Sequence, residues 1–308
     1  MPWKSDTLIF MPVQNKLSKY FIILSLCDIF MKKILELETG KNKNYLLTWI
    51  EKQQSWGRYV FSLEQVRKDF PELSEAAIIL ALNRLSKKNR IVSVYKGFYL
   101  SVPPEYAARG VQPPLNFIDE LMTFVGKPYY VGLLSAAALH GAAHQQPQEF
   151  FVVTTTKQYT TRKKNIKINY FTKNKIPGTL LEKRKTETGY VNISSPELTA
   201  ADLVYYHNRA GGLNRVSAVI NELSEEIKTE KINAVFIREL STPTIQRLGF
   251  IFEKQINRAD LAQKLFDVFM ESNRKFYWQP LKAGGDRKGF STDQRWKIII
   301  NTEIEIEE

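Results

Sequence analysis

At 308 residues the chain exceeds one small module and has the length of about two domains. Its 44% hydrophobic and 25% charged residues are those of an ordinary globular protein, which excludes disordered, collagenous and coiled-coil architectures. Forty-four Lys and Arg against thirty-two Asp and Glu leave a net charge of +12, so a polyanionic partner is the first expectation. The single cysteine, Cys27, cannot form an internal disulfide, which favours a reducing, cytoplasmic setting.

No segment has the roughly 18 to 20 apolar residues of a membrane-spanning helix, and no membrane contact is expected. The nearest run, Tyr20 to Phe30, is broken by Asp28. Lys16 and Lys19 ahead of it imitate the basic start of a signal peptide, but no small-residue cleavage site follows. A terminal helix or strand and a natural start at Met31 are the alternatives, and residues 1–36 are set apart as an extension of open origin.

Residues 37–102 read as a winged helix-turn-helix. Tyr45, Leu46, Trp49 and Ile50 recur at helical spacing, with Gly57 beyond them as a stop. Arg58 to Phe61 is short and β-prone. Ser62 then caps a helix over 63–70 that Pro71 ends, and Ser74 caps a third over 75–88. On that third helix Ile78, Ala81, Leu82 and Leu85 share one face, while Ala76, Leu80, Asn83, Arg84 and Lys87 share the opposite one. The second face is either plainly solvated or suited to a DNA major groove, where Arg reads guanine and Asn reads adenine. Ile91 to Val94 and Phe98 to Leu100 flank Tyr95-Lys96-Gly97 as a hairpin wing. Eleven basic residues stand against five acids across 41–97, and Arg84, Lys87, Lys88 and Arg90 gather where the third helix meets the wing. Asn83, Arg84 and Lys87 are the candidate groove residues, and Lys88, Arg90 and Lys96 the candidate phosphate contacts.

Prolines and glycines over 103–114 read as a linker to a larger domain over 115–308. Helices are expected over 117–124 and 132–143, strands over 149–153 and 165–171, and a hairpin of 180–185 with 190–193. Helices follow over 196–206, 213–227, 234–240, 244–255 and 259–271, with closing strands at 276–278 and 296–301. The fold class is therefore α+β, a modest sheet with helices. From 157 to 185 ten basic residues face Glu182 alone. This is either a solvated hairpin surface or a second site for nucleic acid or an acidic protein. Arg162, Lys163 and Lys164 are its candidate face.

Catalytic motifs are lacking. There is no P-loop, dinucleotide-binding glycine pattern or nucleophile elbow. His140 and His144 have metal-ligand spacing, but no glutamate follows in the H-E-x-x-H order, so two hydrogen-bonded histidines are the preferred reading. Glu149, Lys157, Glu197 and Asp202 could be assembled into a nuclease-like set, yet their spacing fits surface or capping roles better. The expectation is a non-enzyme with no cofactor and no metal.

Several strings resemble the AbiEi antitoxins of AbiE-type (type IV) toxin–antitoxin and phage abortive-infection systems. They are the wing Tyr95-Lys96-Gly97-Phe98-Tyr99, the run from Tyr130-Val131-Gly132 to His140-Gly141, the β-rich 150–156, and Ser195-Pro196-Glu197 through Asp202-Leu203. The likeness spans roughly 40–300, and its combination is more specific than any one string. It implies a bacterial transcriptional repressor whose N-terminal domain binds inverted repeats in double-stranded DNA at its own operator. It further implies a C-terminal antitoxin domain that counteracts a nucleotidyltransferase-like toxin. The competing readings are a nucleic-acid-processing enzyme and a non-catalytic protein-interaction adaptor.

Overall fold

The computed structural model of the chain describes residues 44–142 and 148–305. The expected extension over 1–36, Lys41, Lys43, His144, Glu307 and Glu308 lie outside the described residues. The chain forms two units, 1–55 and 56–308, and the described part of the first is helix α1, Tyr45–Ser55.

The second unit begins with strand β1 (Val60–Ser62), helix α2 (Leu63–Asp69) and helix α3 (Glu75–Lys87). The expected caps form: Ser62 Oγ accepts from Gln65 N at 3.0 Å and Ser74 Oγ from Ala77 N at 3.2 Å. Strands β2 (Ile91–Tyr95) and β3 (Phe98–Ser101) make the hairpin, and β1 pairs antiparallel with β3 to give a three-stranded sheet. Gly97, at the turn, has φ of +76°, a conformation that costs a side-chain-bearing residue most. The Phe61 and Tyr99 rings stack at 5.5 Å. Val92, Val94, Phe98 and Leu100 belong to a different buried cluster.

That cluster has its other wall in a six-stranded mixed sheet. Its order is β6 (Thr161–Lys163), β7 (Ile166–Thr172), β5 (Phe150–Thr154), β4 (Tyr129–Val131), β9 (Tyr190–Ser194) and β8 (Leu181–Lys185). β5 runs parallel to β7, and β4 parallel to β9; the other pairings are antiparallel. Alternation of side chains along each strand sends residues to opposite faces. Tyr129, Val131, Val152, Ile168, Tyr170, Val191 and Ile193 join the wing residues and Phe117, Ile118, Leu121 and Met122 around helix α4 (Ile118–Val125). Tyr130, Phe151, Val153 and Phe171 join the helical layer on the other side. The sheet is thus covered twice, by helices on one face and by the wing with α4 on the other. The proline-rich 103–114 segment is part of that cover, with Val102, Val111 and Gln112 buried.

The helical layer comprises α5 (Leu133–Leu139), α6 (Pro196–Tyr205), α7 (Gly212–Leu223), α8 (Ala234–Glu239), α9 (Thr242–Phe250, prolonged by a π-turn to Gln255) and α10 (Ala259–Glu271). The mixed α+β architecture expected from the sequence is the one observed. Details differ. α5 stops at Leu139, four residues before its expected end, where Gly141 takes a φ of +87°. The expected strand at 276–278 is not one; the closing sheet pairs β10 (Gln279–Pro280), β12 (Ile298–Ile299) and β11 (Thr292–Asp293). Side chains of α9 anchor it: Gln246 donates to the Tyr277 and Trp296 carbonyls at 2.7 Å each, and Arg247 donates to those of Pro280 and Leu281.

Trp296 is wholly buried and lies directly over Gly249 of α9. A Cβ at Gly249 would overlap the indole ring, so the close approach, rather than a turn, is what requires glycine there. Gly249→Ala should therefore lower stability by about 1–3 kcal/mol through overpacking. Urea unfolding followed by tryptophan fluorescence would measure it, and an unchanged midpoint would contradict this packing.

Candidate nucleic-acid interface

Helix α3 has the two faces its sequence predicts. Ile78, Leu82 and Leu85 are buried and Ala81 is half-buried, whereas Ala76, Leu80, Asn83, Arg84 and Lys87 are exposed. Leu80 is 50% exposed. The helix starts beside an Arg67–Glu75 ion pair, which links α2 to the first turn of α3. Acid at that end and Arg84 and Lys87 in the last turn both suit the helix dipole.

Lys88, Arg90 and Lys96 are exposed as well. No described carboxylate forms an ion pair with Arg84, Lys87, Lys88 or Lys96, so this charge is not neutralised locally. Tyr95 of the wing, 42% exposed, meets Phe124 of α4 edge-on at 6.3 Å, and Phe98 meets the same ring at 5.3 Å. The hairpin is thereby held against α4 from its apolar side.

The basic run over 157–185 does not form one patch. β6 and β8 are opposite edges of the six-stranded sheet, five strand spacings or roughly 24 Å apart. Lys183, Arg184 and Lys185 lie on the far edge, where Arg184 donates to the Leu139 carbonyl at 2.6 Å. Three other members are engaged: Lys167 pairs with Glu149, Lys173 with Asp202 at 2.9 Å, and Lys175 with Glu239 at 3.7 Å. Arg162, Lys163 and Lys164 remain exposed on the near edge. There Lys164 Nζ donates to Asn89 Oδ1 at 2.6 Å, just past the end of α3. Asn89 and Lys164 both have left-handed backbones, with φ of +55° and +50°. The segment read as a separate basic face therefore continues the surface of α3 and the wing. Sequence spacing alone could not show this, because 75 residues separate the two partners.

The carboxylates considered for catalysis are not gathered. Glu149 accepts from Lys167 and Asn169, and the Lys167 ammonium is the main cause that lowers its proton affinity. Glu197 is buried and accepts from the Lys228 backbone N at 3.0 Å. Asp202 is also buried, accepting from the Tyr130 hydroxyl at 2.5 Å and from Lys173. Of the surface or capping roles expected for Glu197 and Asp202, the surface one is corrected, since α6 is buried from Pro196 to Val204. Lys157 is exposed. His140 caps α5 and its Nε2 lies 2.8 Å from the Ser194 carbonyl oxygen. Among the described residues no three of His, Cys, Asp and Glu group as metal ligands, and no helix is long and apolar enough to cross a membrane.

The fold and this surface define a mixed α+β protein that carries an unneutralised basic helix beside a wing hairpin. A family model described as the AbiEi antitoxin C-terminal domain matches residues 130–254, so the chain carries an AbiEi-type antitoxin domain there. It is accordingly an antitoxin of a toxin–antitoxin system, which implies a toxin as its counterpart. Among solved structures, the crystal structure of the RV2827C protein from Mycobacterium tuberculosis is similar with a TM-score of 0.59 at 12% identity. That match covers 81% of this chain and 89% of the other, and at this identity it speaks for the fold alone. No curated protein sequence matches.

Within the matched region buried polar side chains tie the sheet to the helical layer. Tyr130 opens the match and Asp202 lies within it; together with Lys173 they bracket β4, β7 and α6. Burial is the main cause that raises the Tyr130 phenol well above its ordinary range, with the Asp202 charge adding to it. Tyr130 therefore stays a proton donor to Asp202 at all physiological pH. Tyr130→Phe should cost about 1–3 kcal/mol, the loss of a buried bond to a carboxylate. Equilibrium denaturation would read it; a variant as stable as the parent would show the bracket to be dispensable.

Proposed function

We propose that the chain is a DNA-binding repressor as well as an antitoxin, with residues 37–102 as its winged helix-turn-helix. Asn83, Arg84 and Lys87 face the major groove of double-stranded operator DNA, with Lys88, Arg90 and Lys96 on phosphates. The observation that carries this is the exposed face of α3, where a half-exposed Leu80 stands among Asn83 and unneutralised cations. Arg162 and Lys163 of β6 lie on the continuation of that surface past Asn89 and extend the phosphate contacts. The operator is the chain's own upstream DNA and contains inverted repeats. The toxin opposed is a nucleotidyltransferase-like protein, a partner taken from the family resemblance.

Two outcomes separate the readings. Arg84→Glu with Lys87→Glu should abolish a gel shift of the upstream duplex at low salt, while Arg162→Glu with Lys163→Glu should weaken it at every sequence alike. Each lost phosphate contact should reduce the slope of log K against log salt by about 0.9. A shift unaltered by the Arg84 and Lys87 changes would discard the reading helix. Binding that is weak and insensitive to salt would favour a protein-interaction adaptor instead.

A further inference from the structure

The division of the basic run between two sheet edges leaves Lys183, Arg184 and Lys185 of β8 without a part in the DNA surface. Within the sheet β8 has β9 as its neighbour, in an antiparallel register that sets Leu181 opposite Ser194 and Lys185 opposite Tyr190. At the two ends of this ladder Leu180 O accepts from Ser195 N at 3.0 Å, and Thr186 N donates to Gly189 O at 2.8 Å. Hydrogen-bonded pairs alternate along an antiparallel ladder, so Glu182 and Arg184 also turn their backbone groups to β9. Leu181, Lys183 and Lys185 turn theirs outward. Among the described residues no hydrogen bond reaches those outward N–H and C=O groups. Such an edge is a template for a further strand.

The chemistry of the edge restricts which strand it accepts. Lys183, Arg184 and Lys185 are exposed, and their charge repels a second copy of the same edge. The acid of the strand, Glu182, is already held by Lys231 at 2.8 Å. Leu181, Glu182 and Lys183 also line a cavity of about 560 Å³, with Met122, Ile176 and Lys127 among its other walls. Asp119, a further acid there, is engaged by the Tyr129 hydroxyl at 2.7 Å. A backbone edge beside a pocket is how folded domains capture extended peptides: the ladder supplies affinity, and alternate side chains supply choice. A phosphate backbone accepts hydrogen bonds but offers none to the outward C=O groups, whereas a peptide answers both. We propose that the outer edge of β8 and this cavity bind an extended acidic segment of another protein, added as a further strand with an apolar side chain in the cavity.

The probe is a fluorescein-labelled heptapeptide of alternating Glu and Ile, titrated into the full chain at low salt and followed by anisotropy. It should bind one-to-one and more weakly as salt rises. Lys183→Gln removes a charge; Lys183→Pro removes the same charge and the outward N–H, and spares the bonds to β9. The proline variant should bind at least about fivefold more weakly than the glutamine variant, the worth of one net hydrogen bond. Both should unfold at the same urea midpoint. N-methylation of the peptide at every second residue should abolish binding in one of its two phases and spare it in the other. An absence of binding at low salt, equal affinities of the two Lys183 variants, or equal binding of the two N-methylated peptides overturns the proposal. If the peptide fails and a single-stranded oligonucleotide binds the parent but not Lys183→Glu with Lys185→Glu, the edge belongs to nucleic acid and the proposal falls. If Lys183→Pro does not fold, the N-methylated pair decides the matter.

Discussion

The six-stranded sheet must be covered on both faces, and the rest of the second unit follows from that requirement. A sheet of mixed parallel and antiparallel strands, apolar on both sides, cannot leave either side to water. Helices α5 to α10 take one side, with Phe151, Val153 and Phe171 beneath them. No comparable helical layer remains for the other. The wing supplies it, with Val92, Val94, Phe98 and Leu100 facing Val131, Val152 and Ile193 through the α4 cluster. The hairpin that borders the basic helix thus belongs to the antitoxin sheet's own core. The direction in which α3 presents its charges is fixed by that packing, and the Lys164–Asn89 bond secures it at the rim.

Much of this was legible where a local signal matched a local structure. Ser62 and Ser74 each cap a helix, because a serine ahead of an apolar periodic run offers its oxygen to free N–H groups. The exposed face of α3 followed from helical spacing alone. β6 was missed because Thr161, Arg162 and Lys163 have no apolar alternation; only pairing with β7 makes them a strand. The two-residue strands of the closing sheet fail for the same reason, being held by Gln246 and Arg247 from α9. The division of the basic run between opposite sheet edges depends on strand order, which no window of sequence contains.

The strings that carried the family resemblance have largely structural roles. Tyr130 and Asp202 bond to each other across the core, Ser195 caps α6, and Thr199 bonds back to Ser194 and Ser195. They specify how strands β4 and β9 meet α6. The residues assigned to DNA lie mostly outside those strings. Family membership and surface chemistry are therefore written in different parts of the chain, one in the core and the other on its rim.

The shared cover of the sheet also limits how the molecule can be cut. A fragment severed after Val102 would carry its hairpin away with a bare hydrocarbon flank, and the remnant would keep a sheet stripped along the matching side. Both pieces would be prone to stick to one another or to themselves. Dissection of the two roles by truncation would then report on solubility before it reported on function. Point changes at solvent-facing atoms are the cleaner scalpel.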